Sequence, residues 1–213
     1  MKTIRNSLFF ILLLSFTVQS QENDFQTWNS FSLNKKIIKK TDLRLKLGLR
    51  LRENSSLYSK QFLDLRLKRD LNKRVSLATG YRYAANWNKE LEISNNNRFY
   101  VDINYKNRII KRLRYLIRNR WQVQGDMYGY NMTLRQKFSL IYNIRKTKLT
   151  PNIATEYFLN IKDGINKLRS TIAVSYPFTK TLDFDLAYRI QQEFYVNNPE
   201  TLFIFVGKLS YDL

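Results

Sequence analysis

From Asp42 to Arg52 the chain alternates with a strict period of two: Leu43, Leu45, Leu47, Leu49 and Leu51 interleave with Arg44, Lys46, Gly48, Arg50 and Arg52. A helix turning every 3.6 residues would scatter those leucines around its whole circumference, whereas a strand sends them to one face and the cations to the other. The two-faced pattern recurs along the chain. Leu63, Leu65 and Leu67 oppose Asp64, Arg66 and Lys68; Val75, Leu77, Tyr81 and Tyr83 oppose Ser76, Ala78, Gly80 and Arg82. Phe99, Val101, Ile103 and Tyr105 oppose Arg98, Tyr100, Asp102 and Asn104; Leu113, Tyr115, Ile117, Trp121 and Val123 oppose Arg114, Arg118, Arg120, Gln122 and Gln124. Further segments follow at Met132 to Ile144, Leu149 to Leu159, Leu168 to Tyr176 and Leu182 to Ile190, and a last one carries Phe203, Phe205, Leu209, Tyr211 and Leu213 to the terminus. Ten segments are strong, and Phe25 to Leu33 is a weaker eleventh, with Phe31 and Leu33 against Trp28, Ser30 and Ser32.

A soluble sandwich also alternates, so strand length and chemistry must decide. Segments of about ten residues match a tilted strand crossing the hydrocarbon core, whereas soluble strands average five or six. Tyr105, Tyr115, Tyr142, Tyr176 and Tyr211 all fall on the apolar face, beside basic turns or the terminus, as an interfacial belt requires. Tyr81, Tyr83, Phe99, Trp121, Tyr157 and Tyr188 lie on the same face toward the other ends and suit a second belt. Connections alternate too: Lys35 to Lys40, Arg69 to Arg74, Lys106 to Arg112, Arg145 to Lys148 and Pro177 to Lys180 are basic. Those at Glu53 to Lys60, Asn86 to Asn97, Gly125 to Asn131, Asn160 to Asn166 and Glu193 to Glu200 are more acidic and rich in Asn or Gly.

The first twenty residues read as a cleaved export signal: basic Lys2 and Arg5, an apolar run from Leu8 to Leu14 continuing to Val18, and small residues Val18 and Ser20 before a cut at Gln21. Cleavage lowers the formal charge from +20 to +18, since no acidic residue lies in that stretch. No later stretch is long and apolar enough for a spanning helix. With no cysteine in the sequence, disulfides and thiolate sites are excluded.

The expected fold is therefore all-β: a single closed antiparallel transmembrane β-barrel of about ten strands, with twelve as the alternative. Even numbers are favoured because antiparallel closure requires the first and last strands to run in opposite directions. On that basis residues 1–20 are signal, 21–41 an N-terminal segment with one weak strand that lies outside a ten-strand wall or across its mouth, and 42–213 the barrel. The destination is the bacterial outer membrane.

The mature sequence resembles an uncharacterised family of bacterial exported proteins, domain of unknown function number 2490. The resemblance lies in "FQTWNSFSLNKKI", "LRLKLGLRLRE", "LDLRLKRDLNKRVSLATGYRYA" and "NRFYVDINYKNRIIKRLRYLIRNRWQ". It implies an outer-membrane barrel of unestablished activity and supplies no functional residue. The terminal "FVGKLSYDL" is similar to the insertion signal read by the barrel-assembly machinery, although it ends in leucine instead of phenylalanine. Membrane lipid and that machinery are the expected partners.

With no histidine, the commonest general base and metal-binding nitrogen are missing, and the reading is that the chain is not an enzyme and needs no cofactor or metal. The informative chemistry is the inward face: Arg44, Lys46, Arg50, Arg52, Arg66, Lys68, Arg82, Arg98, Arg114, Arg118, Arg120, Arg135, Lys137, Lys167, Arg169 and Arg189. Against them stand Asp64, Asp102, Glu156, Asp183 and Asp185, which neutralise charge and leave about eleven cations to meet water or anions. Such a lumen suits an anion-preferring pore or an acidic ligand, with small anions as guests. Side chains can also fill a small barrel and stop conduction. Two other classes stay open. One is a structural barrel whose acidic outer loops dock a partner through Trp87, Tyr128 and Tyr130; the other is a soluble, exported, basic sheet protein that binds acidic polymers. Nucleic acid is not expected for an exported chain, despite a pI near 10.1.

Overall fold

The computed structural model describes residues 22–161, 164–196 and 198–213. The signal segment 1–20 and its cut at Gln21 lie outside the described residues. Eleven strands follow in chain order: β1 (Glu22–Ile38), β2 (Thr41–Arg52), β3 (Leu57–Asp70), β4 (Val75–Trp87), β5 (Ile93–Ile110), β6 (Leu113–Asp126), β7 (Gly129–Tyr142), β8 (Thr150–Asn160), β9 (Gly164–Pro177), β10 (Leu182–Glu193) and β11 (Glu200–Asp212). Each pairs antiparallel with its sequence neighbour, and β11 returns to β1 to close the barrel.

The closed all-β barrel is the expected fold, with a strand count between the ten and twelve expected and an earlier start. The wall has eleven strands, and it begins at Glu22 instead of Asp42: β1 is neither outside the wall nor across its mouth, but pairs with β2 on one side and β11 on the other. An odd count forces the first and last strands to run the same way, and the seam meets this with parallel pairing from Glu22↔Glu200 to Asn34↔Asp212. Parallel bonds are slanted and slightly weaker per residue than antiparallel ones, but they satisfy both edges equally well. The alternation of β1 is muted because Thr27 and Asn29 share the outward face with Phe25 and Phe31, while Trp28 points in.

Further contacts hold β1 at both ends. At one end the Asn54 amide donates to Asp24 Oδ1 (3.2 Å), the Ser55 amide to the Phe25 carbonyl (3.1 Å), and the Thr27 and Ser55 hydroxyls meet at 2.6 Å. The 53–56 turn can fold back over β1 because Glu53, Asn54 and Ser55 all adopt left-handed backbone conformations. At the other end the Leu213 amide donates to the Asn34 carbonyl (2.8 Å), and the Asn34 amide group donates to Asp212 Oδ1 (2.8 Å).

The wall is inverted relative to a soluble domain. Leu47 is 53% exposed on the outside, while Asp102 is fully buried within. The outward amides of Asn119 and Gln136, on neighbouring strands, bond each other at 2.9 Å and so satisfy part of their own polarity. Of the expected belt, Tyr142, Tyr176 and Tyr211 are exposed on the outer face. Tyr105 and Tyr115 stand 5.9 Å apart, and Lys148 Nζ lies 5.8 Å from the Tyr176 ring centre.

The connections at the acidic end are shorter than the sequence suggested. Trp87 closes β4 and Tyr130 lies within β7, so neither is a loop residue; Tyr128 alone of the three sits in a connection, 90% exposed. Alternation fades near these strand ends, where Asn and Gly replace apolar residues although the backbone continues its ladder.

The register makes a direct prediction. In this cysteine-free chain, Phe31→Cys with Leu209→Cys will crosslink on mild oxidation, because these residues are seam partners. Phe31→Cys with Phe205→Cys will not, since Phe205 lies opposite Thr27. Non-reducing gel mobility of the folded barrel reads the result.

Candidate functional site

Two cavities occupy the barrel interior. The larger, about 720 Å³, is lined by thirteen of the expected inward cations: Arg44, Lys46, Arg50, Arg66, Arg82, Arg98, Arg118, Arg120, Arg135, Lys137, Lys167, Arg169 and Arg189. Arg114 lies apart from them, in the second cavity of about 670 Å³ at the end where the basic turns and the C-terminus lie. Arg44 and Arg66 line both, which places them where the two spaces meet. Lys60 and Lys208 join the larger cavity as well. Lys60 closes the stretch from Glu53 that reads as a connection, but its even number matches Asp64 and Arg66, so strand parity is the available signal. Arg52 lines neither cavity, and Lys68 lines the second.

Three carboxylates organise the larger cavity's wall. Asp102 accepts from Arg120 Nε (2.6 Å) and Nη2 (2.9 Å) and from Arg66 Nη2 (3.0 Å). Glu156 accepts from Arg118 Nη2 (2.5 Å), Arg135 Nη2 (2.7 Å) and Arg169 Nη1 (3.3 Å). Asp64 accepts from Arg82 Nε (2.8 Å) and from the Tyr100 hydroxyl (2.9 Å). Together these bonds tie β3 to β9 across the lumen side of the wall. A buried charge is costly unless it is paired and hydrogen-bonded in this way.

Inward aromatic rings carry a second layer of order. Arg50 Cζ lies 3.7 Å from the Trp28 ring centre, Arg120 3.7 Å from Tyr100, Arg82 4.0 Å from Phe62 and Arg135 4.4 Å from Phe158. Stacked guanidiniums gain cation–π attraction and lose rotamer freedom, so these cations are held in place before any guest arrives. Two rings owe their position to glycine. Gly48 faces Phe62 and Gly80 faces Tyr100 across adjacent strands, and each ring occupies the space that a Cβ at the glycine would fill. Phe62 and Phe158 share the parity of Asp64 and Glu156, yet an inward aromatic is invisible to a pattern that equates apolar with outward.

One sector of the lumen departs from the expected polar lining. Leu202, Ile204 and Val206 of β11 point inward and pack with Trp28 and Ala187. The outward residues Phe203 and Phe205 are apolar too, so β11 is apolar on both faces from Leu202 to Val206 and its inner face there could not be recognised from alternation.

Four further carboxylates gather at the second cavity. Asp42, Asp183, Asp185 and Asp212 line it beside Lys35, Lys36, Arg44, Arg66, Lys68 and Arg114, so this end is closer to charge balance. Lys208 Nζ stands 3.6 Å from Asp185, and Lys68 Nζ is 3.5 Å from Asp42. The larger cavity is different in kind: fifteen lysines and arginines line it against Asp64, Glu156 and Glu193.

Residues 25–201 match the family described as Protein of unknown function (DUF2490). A solved structure described as "NanC porin structure in rhombohedral crystal form" shares the fold, with a TM-score of 0.53 and 12% identity over 84% of this chain and 93% of that one. No curated protein matches the sequence.

Removing Asp102 should be costly, because it strands two guanidiniums in a buried setting. Asp102→Ala is expected to lower the unfolding free energy by about 3–5 kcal/mol. Asp42→Ala, whose lysine partner is half in solvent, should change it by less than about 1 kcal/mol. Urea unfolding in detergent, followed by the loss of the compact fast-migrating form on gels, measures both.

Proposed function

The chain belongs to the DUF2490 family of proteins of unknown function, and from that premise we propose that it spans the bacterial outer membrane as a small barrel whose aqueous interior admits anions. The observation that carries this reading is the charge imbalance of the larger cavity, where fifteen cations face Asp64, Glu156 and Glu193, with Asp102 buried behind Arg66 and Arg120. Rings of Arg and Lys raise the local anion concentration and exclude cations.

Membrane placement is supported by the inverted wall: leucine, isoleucine and aromatic side chains cover the outside of a barrel with no free strand edge. In hydrocarbon, backbone polar groups cannot turn to water, and a closed barrel is the sheet form that pairs them all. The same inversion counts against a soluble sheet protein, which would place its leucines inside. In this reading the chain performs no chemistry on its guests: Asp64, Asp102 and Glu156 are engaged by arginine, and their part is to hold the cations in position. Arg44 and Arg66, common to both cavities, are the residues any passing anion must meet.

Recording from the mature barrel in planar bilayers under a KCl gradient tests the proposal. A reversal potential on the chloride side is expected, moving toward zero in Arg44→Gln/Arg66→Gln. Absence of an open-state current, or potassium selectivity, would reject it.

A further inference from the structure

We infer that the half of the larger cavity nearest the acidic connections holds a binding site for a hydrophilic anion with two or more acidic groups, centred on Arg50, Lys60, Arg98 and Arg189. This deepens the anion-admitting reading and rests on it.

Strand register creates the site. Within the larger cavity it sets five like-charged pairs directly opposite one another: Arg44↔Arg66, Arg50↔Lys60, Arg82↔Arg98, Arg118↔Lys137 and Arg120↔Arg135. Like charges placed so are destabilising unless a counter-charge is supplied. Asp102, Asp64 and Glu156 supply one to a member of four of these pairs. The Arg50↔Lys60 pair receives none among the described residues.

Its surroundings lack compensation as well. Arg50 Nε is buried without a hydrogen-bond partner while its guanidinium stacks on Trp28. Arg189 has the same unpartnered Nε and lies 5.7 Å from the same ring centre. Among the described residues, Arg98 is hydrogen-bonded by the neutral side chain of Gln124, to which its Nε donates at 2.7 Å, and by no carboxylate. All four cations line one cavity of about 720 Å³.

A monovalent anion can neutralise one of these charges and leaves the others facing each other. A compact anion with two acidic groups spans Arg50 and Lys60, whose strands are about 5 Å apart, and replaces two counter-ions at once. Trp28 adds a rigid platform that holds Arg50 and Arg189 in place beforehand, which lowers the ordering cost of binding. The acidic groups can be carboxylates or phosphates, since arginine pairs with both in bidentate fashion.

The site can be read through Trp28. In the folded barrel carrying Trp87→Phe and Trp121→Phe, inorganic pyrophosphate and citrate are titrated at constant ionic strength while Trp28 emission is followed, with calorimetry as a second readout. Saturable binding of at least one is expected; if only one saturates, the site is assigned to phosphate or to carboxylate. Arg50→Gln/Lys60→Gln should weaken binding at least tenfold, and Lys111→Gln, in a turn at the far end, less than twofold. If the first double variant does not reach the compact gel form, Arg98→Gln/Arg189→Gln takes its place with the same expectation. No saturable binding, or equal binding by the double variant, would overturn the site. A chloride-selective current without saturable binding removes this site alone, whereas loss of chloride selectivity removes the reading beneath it.

Discussion

Backbone pairing at the β1–β11 seam is the constraint on which everything else rests. Ten antiparallel ladders build a curved sheet, and the parallel eleventh makes it a barrel with no edge. Without it, two rows of unpaired N–H and C=O groups would face the surroundings, which hydrocarbon does not tolerate. The closing contacts are correspondingly redundant: the 53–56 turn grips the start of β1, and Asn34 ties its far end to the last two residues of the chain. Because the count is odd, the first strand enters at the end opposite the C-terminus.

Once the wall is closed, a period of two does the rest. It sends leucines out and cations in, and the interior must then manage far more positive than negative charge. It does so unevenly. Three carboxylates gather arginines from β3 to β9 into bonded groups, while β10, β11 and β1 carry an apolar patch around Trp28. Between these lie cations stacked on rings but without acidic partners. A fixed network of this kind gives positional order and leaves the uncompensated charges facing the cavity, where guests can meet them.

Much of this was legible in the residues. Strict alternation from Leu43 to Arg52 is enough to place leucine outside and arginine inside, and the two-faced segments number eleven when Phe25 to Leu33 is included. The even-number rule hid the true count. Pattern can recognise a strand but cannot say that its closing partner runs parallel, which is a property of the whole circuit. The start of the wall was missed for a local reason: Asn29 and Thr27 point outward and Trp28 inward, so the contrast between faces is weak. Lys60 was missed because the flanking Ser-rich stretch reads as loop while the backbone already pairs. Inward Phe62, Phe158, Ile204 and Val206 could not be found from hydropathy, since each is apolar on a face otherwise defined by charge. The way three carboxylates divide their bonds among six arginines depends on distances between strands that the sequence does not contain.

Which face meets hydrocarbon decides the account, and nitroxide labels on β2 measure it. With the barrel in lipid, labels at Leu45→Cys and Leu47→Cys should relax readily with dissolved oxygen and poorly with a polar nickel chelate, while one at Lys46→Cys should do the reverse. Leucine positions open to the chelate, with Lys46 shielded by lipid, would contradict it.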